Sequence, residues 1–115
     1  MPTLDELMAL EGAQAAFRFS DRGELTGHLI APDAAIDAQA LDLLAHVVVA
    51  NLAIATMQAR GWEKMTGQAG FYPIETFTLV GFEWSAVAGN GAGVVLDNAS
   101  ADYDRANAML AGGGT

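Results

Sequence analysis

The stretch from Asp37 to Arg60 limits most strongly what this chain can become. It contains neither Gly nor Pro, is dominated by Ala, Leu and Val, and opens on an Asp suited to cap a helix. The composition predicts one long helix, able to continue through Trp62 to Met65 before Gly67, with Gly61 as a kink or stop. At about 100° per residue the apolar side chains fall into two seams on opposite sides. Leu41, Ala45, Val48, Leu52, Ala55 and Ala59 form one; Leu43, Val47, Ala50, Ile54 and Met57, at alternating spacings of four and three, form the other. Asp42, His46, Thr56 and Arg60 run along one flank between them, Asn51 and Gln58 along the other.

The sequence on either side reads as sheet with short terminal helices. Thr3 to Leu10 is a helix capped by Thr3, with Asp5 and Glu6 in its first turn. Gly12 opens a strand in which Ala13, Ala15, Phe17 and Phe19 share one face, against Gln14, Arg18 and Ser20 on the other. Ser20-Asp21-Arg22-Gly23-Glu24 supplies a turn, Leu25 to Ile30 the returning strand, and Pro32 its end. After the long helix, Ile74 to Val80, Glu83 to Ala88 and Ala92 to Leu96 read as three strands, the last two joined by the hairpin signal Gly89-Asn90-Gly91. Asn98 or Ser100 caps a last helix ending near Leu110. The expected architecture is α+β: a five-stranded antiparallel sheet with a long central helix, in the order α-β-β-α-β-β-β-α. Residues 1–111 make a single domain, and 112–115, Gly-Gly-Gly-Thr, a frayed tail.

One face of one sheet can cover only one of the two seams. An open second seam is a patch of several hundred Å², more than monomers usually leave in water. Either the terminal helices cover it within the chain or a second copy does, and the second solution is the expectation here. The pattern alone does not decide which seam meets the sheet. With the bulkier one outward, the candidate dimer contacts are Leu43, Val47, Ala50, Ile54 and Met57.

Charge narrows the partners further. Fourteen acidic residues face five basic ones in 115, for a net charge of −9. Such a surface repels phosphate backbones and anionic headgroups, so neither nucleic acid nor membrane is an expected partner. The apolar run Leu43 to Met57, interrupted by His46 and Asn51, is too short to span a bilayer. The absence of cysteine fits a reducing compartment, and the N-terminus lacks the basic start and apolar run of a signal peptide, so the cytoplasm is the expected location.

The element order, together with Leu10-Glu11-Gly12-Ala13, Asp21-Arg22-Gly23-Glu24-Leu25, the helix from Asp37 and Gly91-Ala92-Gly93-Val94-Val95-Leu96, resembles the Roadblock / dynein light chain family over almost the whole chain. It is especially similar to an uncharacterised bacterial branch of that family. The resemblance implies a homodimer with two sheets joined edge to edge and the central helices together. It also implies a scaffold, or a regulator of a small GTPase, in place of a catalyst. The aromatic-rich stretch from Trp62 to Trp84 is not part of the family pattern.

Residues that carry chemistry are few, and no catalytic, cofactor or metal site is expected. Gly89-Asn90-Gly91-Ala92-Gly93 precedes a strand and has no nearby Lys, so it is a hairpin and not a phosphate loop. His46 and Asp42, four apart, make a surface pair without further ligands or a nucleophile. The acidic run Asp97 to Asp104 lacks the Gly and Glu of a calcium loop and is better explained as helix capping. Glu75 and Glu83 could pair across a hairpin, which need not be catalytic. Trp62 and Trp84 are the candidate partner surface. A second reading, a small-ligand sensory module of profilin-like fold, would need a pocket lined by Trp62, Phe71 and Trp84.

Overall fold

The computed structural model describes residues 2–111. It runs α1 (Leu4–Met8), β1 (Ala13–Phe19), β2 (Leu25–Ile30), α2 (Ala38–Thr66), β3 (Phe77–Val80), β4 (Trp84–Gly89), β5 (Ala92–Asp97) and α3 (Tyr103–Leu110). The five strands form one antiparallel sheet in the order β2-β1-β5-β4-β3. The expected fold class and element order are present. The expected tail, 112–115, lies outside the described residues.

Local chemistry explains most boundaries. Thr3 and Glu6 form a reciprocal capping box at α1, Glu6 N–H donating to Thr3 Oγ1 at 3.0 Å and Thr3 N–H to Glu6 Oε1 at 2.9 Å. Gly23 takes the positive φ of +85° that the first hairpin turn requires. Asn90 and Gly91 both have positive φ, as a tight hairpin between β4 and β5 demands, and Asn90 Nδ2 donates to Leu110 O at 2.7 Å, tying the hairpin tip to the end of α3. Asp37 caps α2 by accepting the Ala40 N–H at 2.9 Å.

The sheet carries helices on both faces. On one, Ala15, Phe17, Ala86, Ala88 and Val95 pack against Leu41, Leu44, Ala45 and Val48 of α2. On the other, Ala16, Val87, Val94 and Leu96 pack against Leu7, Leu10, Ala106 and Leu110 of α1, α3 and their ends. This corrects the reading of β1 as half-buried: Ala15, Ala16 and Phe17 are all buried, because the short terminal helices cover the face opposite α2. Those helices are therefore not available to cover the outer seam of α2.

Three boundaries differ from expectation. α2 passes through Gly61 without a break and stops at Gly67, φ +71°, whose N–H donates to Glu63 O. β3 starts at Phe77, not Ile74, because its partner β4 ends at Gly89 and Phe77 already pairs with Ala88. Asp102, not Asn98 or Ser100, caps α3 by accepting the Arg105 N–H at 3.1 Å. Asn98 is committed elsewhere: its Oδ1 accepts from Ser85 Oγ at 2.6 Å and its Nδ2 donates to Gly81 O at 2.8 Å.

Candidate interaction surface

The inner seam of α2 meets the sheet and the outer one does not. Leu41, Ala45 and Val48 are buried and Leu52 and Ala55 half-buried, whereas Leu43 is 66% exposed, Ile54 56% and Met57 75%. Ala50 is also exposed and Val47 half-buried. The five candidate contacts thus form one unbroken line along the outside of the helix. After Val48, only Ala59 of α2 is fully buried, so the second half of the helix is covered along its inner seam, at Leu52, Ala55 and Ala59, and open elsewhere.

By length and composition alone α2 could cross a membrane, which revises the reading of Leu43 to Met57 as too short. Its 29 residues span about 43 Å at a rise of about 1.5 Å each. Its first half is nevertheless fastened to the sheet. Beyond the apolar contacts, Asp42 Oδ1 accepts the Leu25 N–H at 2.9 Å, holding the start of β2 to the helix.

The C-terminal end of α2 is shaped by a carboxylate. One oxygen of Glu63 accepts the backbone N–H groups of Gly70, Phe71 and Tyr72 at 3.0, 3.1 and 3.0 Å. These bonds, Tyr72 foremost, hold its pKa below the ordinary carboxylate value. Arg60 closes the same loop, donating to the Tyr72 hydroxyl at 3.0 Å and lying 4.5 Å from its ring centroid.

Trp62 and Trp84 lie on different elements, α2 and β4. Trp62, 53% exposed, walls an open groove of about 400 Å³ together with Gln58, Gly61 and Met65, all from α2 itself. Trp84 begins β4 and pairs with Asp97 of β5. That groove includes neither Trp84 nor Phe71. Glu75 and Glu83 do not face each other either: Glu75 lies beside Gly89 at one end of the β3–β4 pair and Glu83 in the turn at the other. His46 Nδ1 lies 3.7 Å from Asp42 Oδ2 on an exposed face.

Sequence reasoning overlooked Gly61 and Glu63 as surface-shaping residues. For Gly61 a signal existed, since it stands four after Met57 and continues the outer seam. Glu63 gave none, because its partners are backbone groups of a loop.

The sheet edges add to this surface. β3 is an edge strand in which Thr78, Leu79 and Val80 are exposed, and Phe82, in the turn after it, is fully exposed.

Solved structures share this arrangement. MglB in a tetrameric arrangement superposes with a TM-score of 0.68 at 23% identity, over 94% of this chain and 82% of that one. The gliding protein MglB from Thermus thermophilus gives 0.65 at 25% identity, with the same shares. A Roadblock/LC7 domain from Streptomyces avermitilis gives 0.67 at 11% identity, over 91% of this chain and 82% of that one. The fold is that of Roadblock / dynein light chain proteins. No curated protein matches in sequence. A family model described as "Uncharacterized conserved protein (DUF2173)" matches residues 3–112, nearly the whole sequence, and the chain belongs to that family.

Proposed function

We propose that this chain is a non-catalytic, homodimeric scaffold or regulatory protein of the cytoplasm that binds another protein, a small GTPase being the first class to test. The observation that carries this reading is the open outer seam of α2. Both faces of the sheet already have their helices, so the chain has nothing further among its described residues to lay over Leu43, Ile54 and Met57. Burying apolar area yields about 25 cal/mol per Å², so closing a patch of this kind against a copy of itself favours association by several kcal/mol before the costs of binding. The exposed edge strand β3 supports edge-to-edge joining of two sheets in the same assembly. A structural neighbour is known in a tetrameric arrangement, which supports self-association as a use of this fold.

Trp62 and Trp84 supply aromatic anchors for the other protein, and the net charge of −9 favours a basic contact surface on it. The test is molar mass by light scattering across a wide dilution range, followed by titration with purified small GTPases in each nucleotide state. A mass of twice the chain supports the assembly. A monomer at every concentration sinks it.

A further inference from the structure

The sheet has a second edge, opposite β3, where β2 has β1 as its one neighbour. Ala31 N–H donates to Gln14 O at 2.8 Å across that pair. Antiparallel partners exchange bonds at every second residue, so Leu29 with Ala16 and Gly27 with Arg18 face inwards in the same way. The N–H and C=O groups of His28 and Ile30 therefore point out of the sheet. They are two donors and two acceptors on extended backbone, the groups that bind an added strand. The register shift at Thr26, between the Arg18–Gly27 and Phe19–Leu25 pairs, sets one limit of this regular edge.

The strand itself is not blunted by charge. Exposed edges are commonly protected by Lys, Pro or an inward-pointing charge, yet Leu25-Thr26-Gly27-His28-Leu29-Ile30 contains no Lys, Arg, Asp, Glu or Pro. Thr26 and His28 are exposed, and Leu29 is 38% exposed. Leu29 pairs with Ala16 and so shares the sheet face that α1 covers, where Leu4 lies 3.8 Å from a Cβ built on Gly27. An aliphatic side chain on an added strand meets apolar surface there.

Acid brackets the strand instead, and it decides the occupant. Asp21 and Glu24 before β2, and Asp33 and Asp37 beyond it, are all exposed, with Asp42 half-buried beside Leu25. Arg22 is the sole cation between positions 20 and 42. A second β2, in either direction, sets acid against acid at both ends, and an acidic segment is repelled outright. A cationic one is attracted at both. We propose that β2 binds, by strand addition, an extended segment of another protein with Lys or Arg at both ends and an aliphatic residue between them, seated beside Leu29. Strand addition here goes beyond the homodimer and does not depend on it, because β2 lies at the edge opposite β3.

The probe is the blocked peptide acetyl-Lys-Lys-Thr-Val-Thr-Val-Lys-Lys-amide, added to the full chain while backbone amides are followed by NMR and hydrogen exchange. The His28 and Ile30 amides should gain protection of about tenfold or more, an effect that fades with added salt and is absent when Glu replaces each Lys. N-methylation of one set of alternate peptide residues should weaken binding about tenfold at unchanged charge, and methylation of the other set should not. His28→Pro removes an outward donor at an edge position where Pro is tolerated, so it should weaken binding about tenfold with an unchanged far-UV circular dichroism spectrum. Glu24→Gln with Asp33→Asn, which leaves the backbone alone, should weaken binding at low salt and flatten the salt dependence. Equal binding by both N-methylated sets makes the contact one of charge alone and overturns the proposal. Protection gained at 78–80 in place of 28 and 30 moves the peptide to β3 and overturns it too. Protection of 28 and 30 that grows with the concentration of the chain alone assigns the edge to a second copy. No change at either amide with millimolar peptide leaves the acids as guards against strand pairing and overturns it outright.

Discussion

Gly23 and His46 touch backbone to backbone: a Cβ built on Gly23 would stand 2.8 Å from the Cα of His46 and 3.2 Å from the Ala45 carbonyl oxygen. The turn between β1 and β2 is thereby pressed against the first half of α2, beside the bond from Leu25 N–H to Asp42. Gly23 also has φ +85°. Gly23→Ala meets both penalties, the positive φ and the overpacking, and should destabilise the fold by about 2–4 kcal/mol. Urea unfolding checks this through a lowered midpoint at unchanged slope.

Ser85 is the buried polar side chain of the sheet, and its hydroxyl lies 2.6 Å from Asn98 Oδ1 and 3.0 Å from the Tyr103 hydroxyl. With Asn98 Nδ2 on Gly81 O, this set joins the β3–β4 turn, the end of β5 and the start of α3. Ser85→Ala removes the short bond to Asn98 Oδ1, leaving it the longer one from the Tyr103 hydroxyl at 3.4 Å, and should cost about 1–2 kcal/mol. The loss should appear with early exchange of the α3 amides, because Tyr103 opens that helix.

Much of this molecule was legible in its sequence because its elements announce themselves locally. Asp37 and Gly67 bracket α2, Gly23 and Asn90-Gly91 mark the hairpins, and alternation marks β1. The errors fall where long-range partners decide. Asn98 looked like a helix cap, but its side chain is taken by Ser85 and Gly81, and the cap passes to Asp102. β1 looked half-buried, with Gln14 and Arg18 on an open side, but Ala16 between them is buried by α1 and α3. For the candidate surface, the two seams were readable from angles alone, whereas their assignment to sheet and solvent needed the packing. The groove at Gly61 was hidden behind the usual meaning of a glycine near a helix end.

Acid should loosen the loop after α2 before it unfolds the protein. Glu63 has its pKa lowered by the N–H groups of Tyr72, Gly70 and Phe71, so its contribution is complete above the ordinary carboxylate value and is lost as pH falls through the lowered one. Glu6, lowered by Thr3 in the capping box, has the same sign, so a global stability curve would mix the two. Hydrogen exchange at the amides of 70–72 isolates Glu63. Protection there, taken relative to the intrinsic exchange rate at each pH, should fall on acidification in the parent chain and be low at every pH in Glu63→Ala. Unaltered exchange in that variant would show that the loop is held by Arg60 and Tyr72 alone.

Ile54 and Val48 lie six residues apart on α2, one more than half exposed and the other buried against the sheet, so the same charge should do different damage at each. Val48→Asp places an unpaired carboxylate in the core, costs several kcal/mol and should leave little folded protein. Ile54→Asp in an isolated chain meets water and should preserve the fold. Within the proposed dimer the outer seam closes against the other copy, so each interface receives the charge twice. Dissociation should strengthen by at least a hundredfold, with the mass falling to that of one chain while far-UV circular dichroism is retained. Val47→Asp, half-buried in the monomer, should act in the same direction with some loss of stability as well. A dimer that survives Ile54→Asp undiminished would move the assembly off the outer seam. The exposed edge of β3, with Leu79 and Val80, would then be the surface left to carry it.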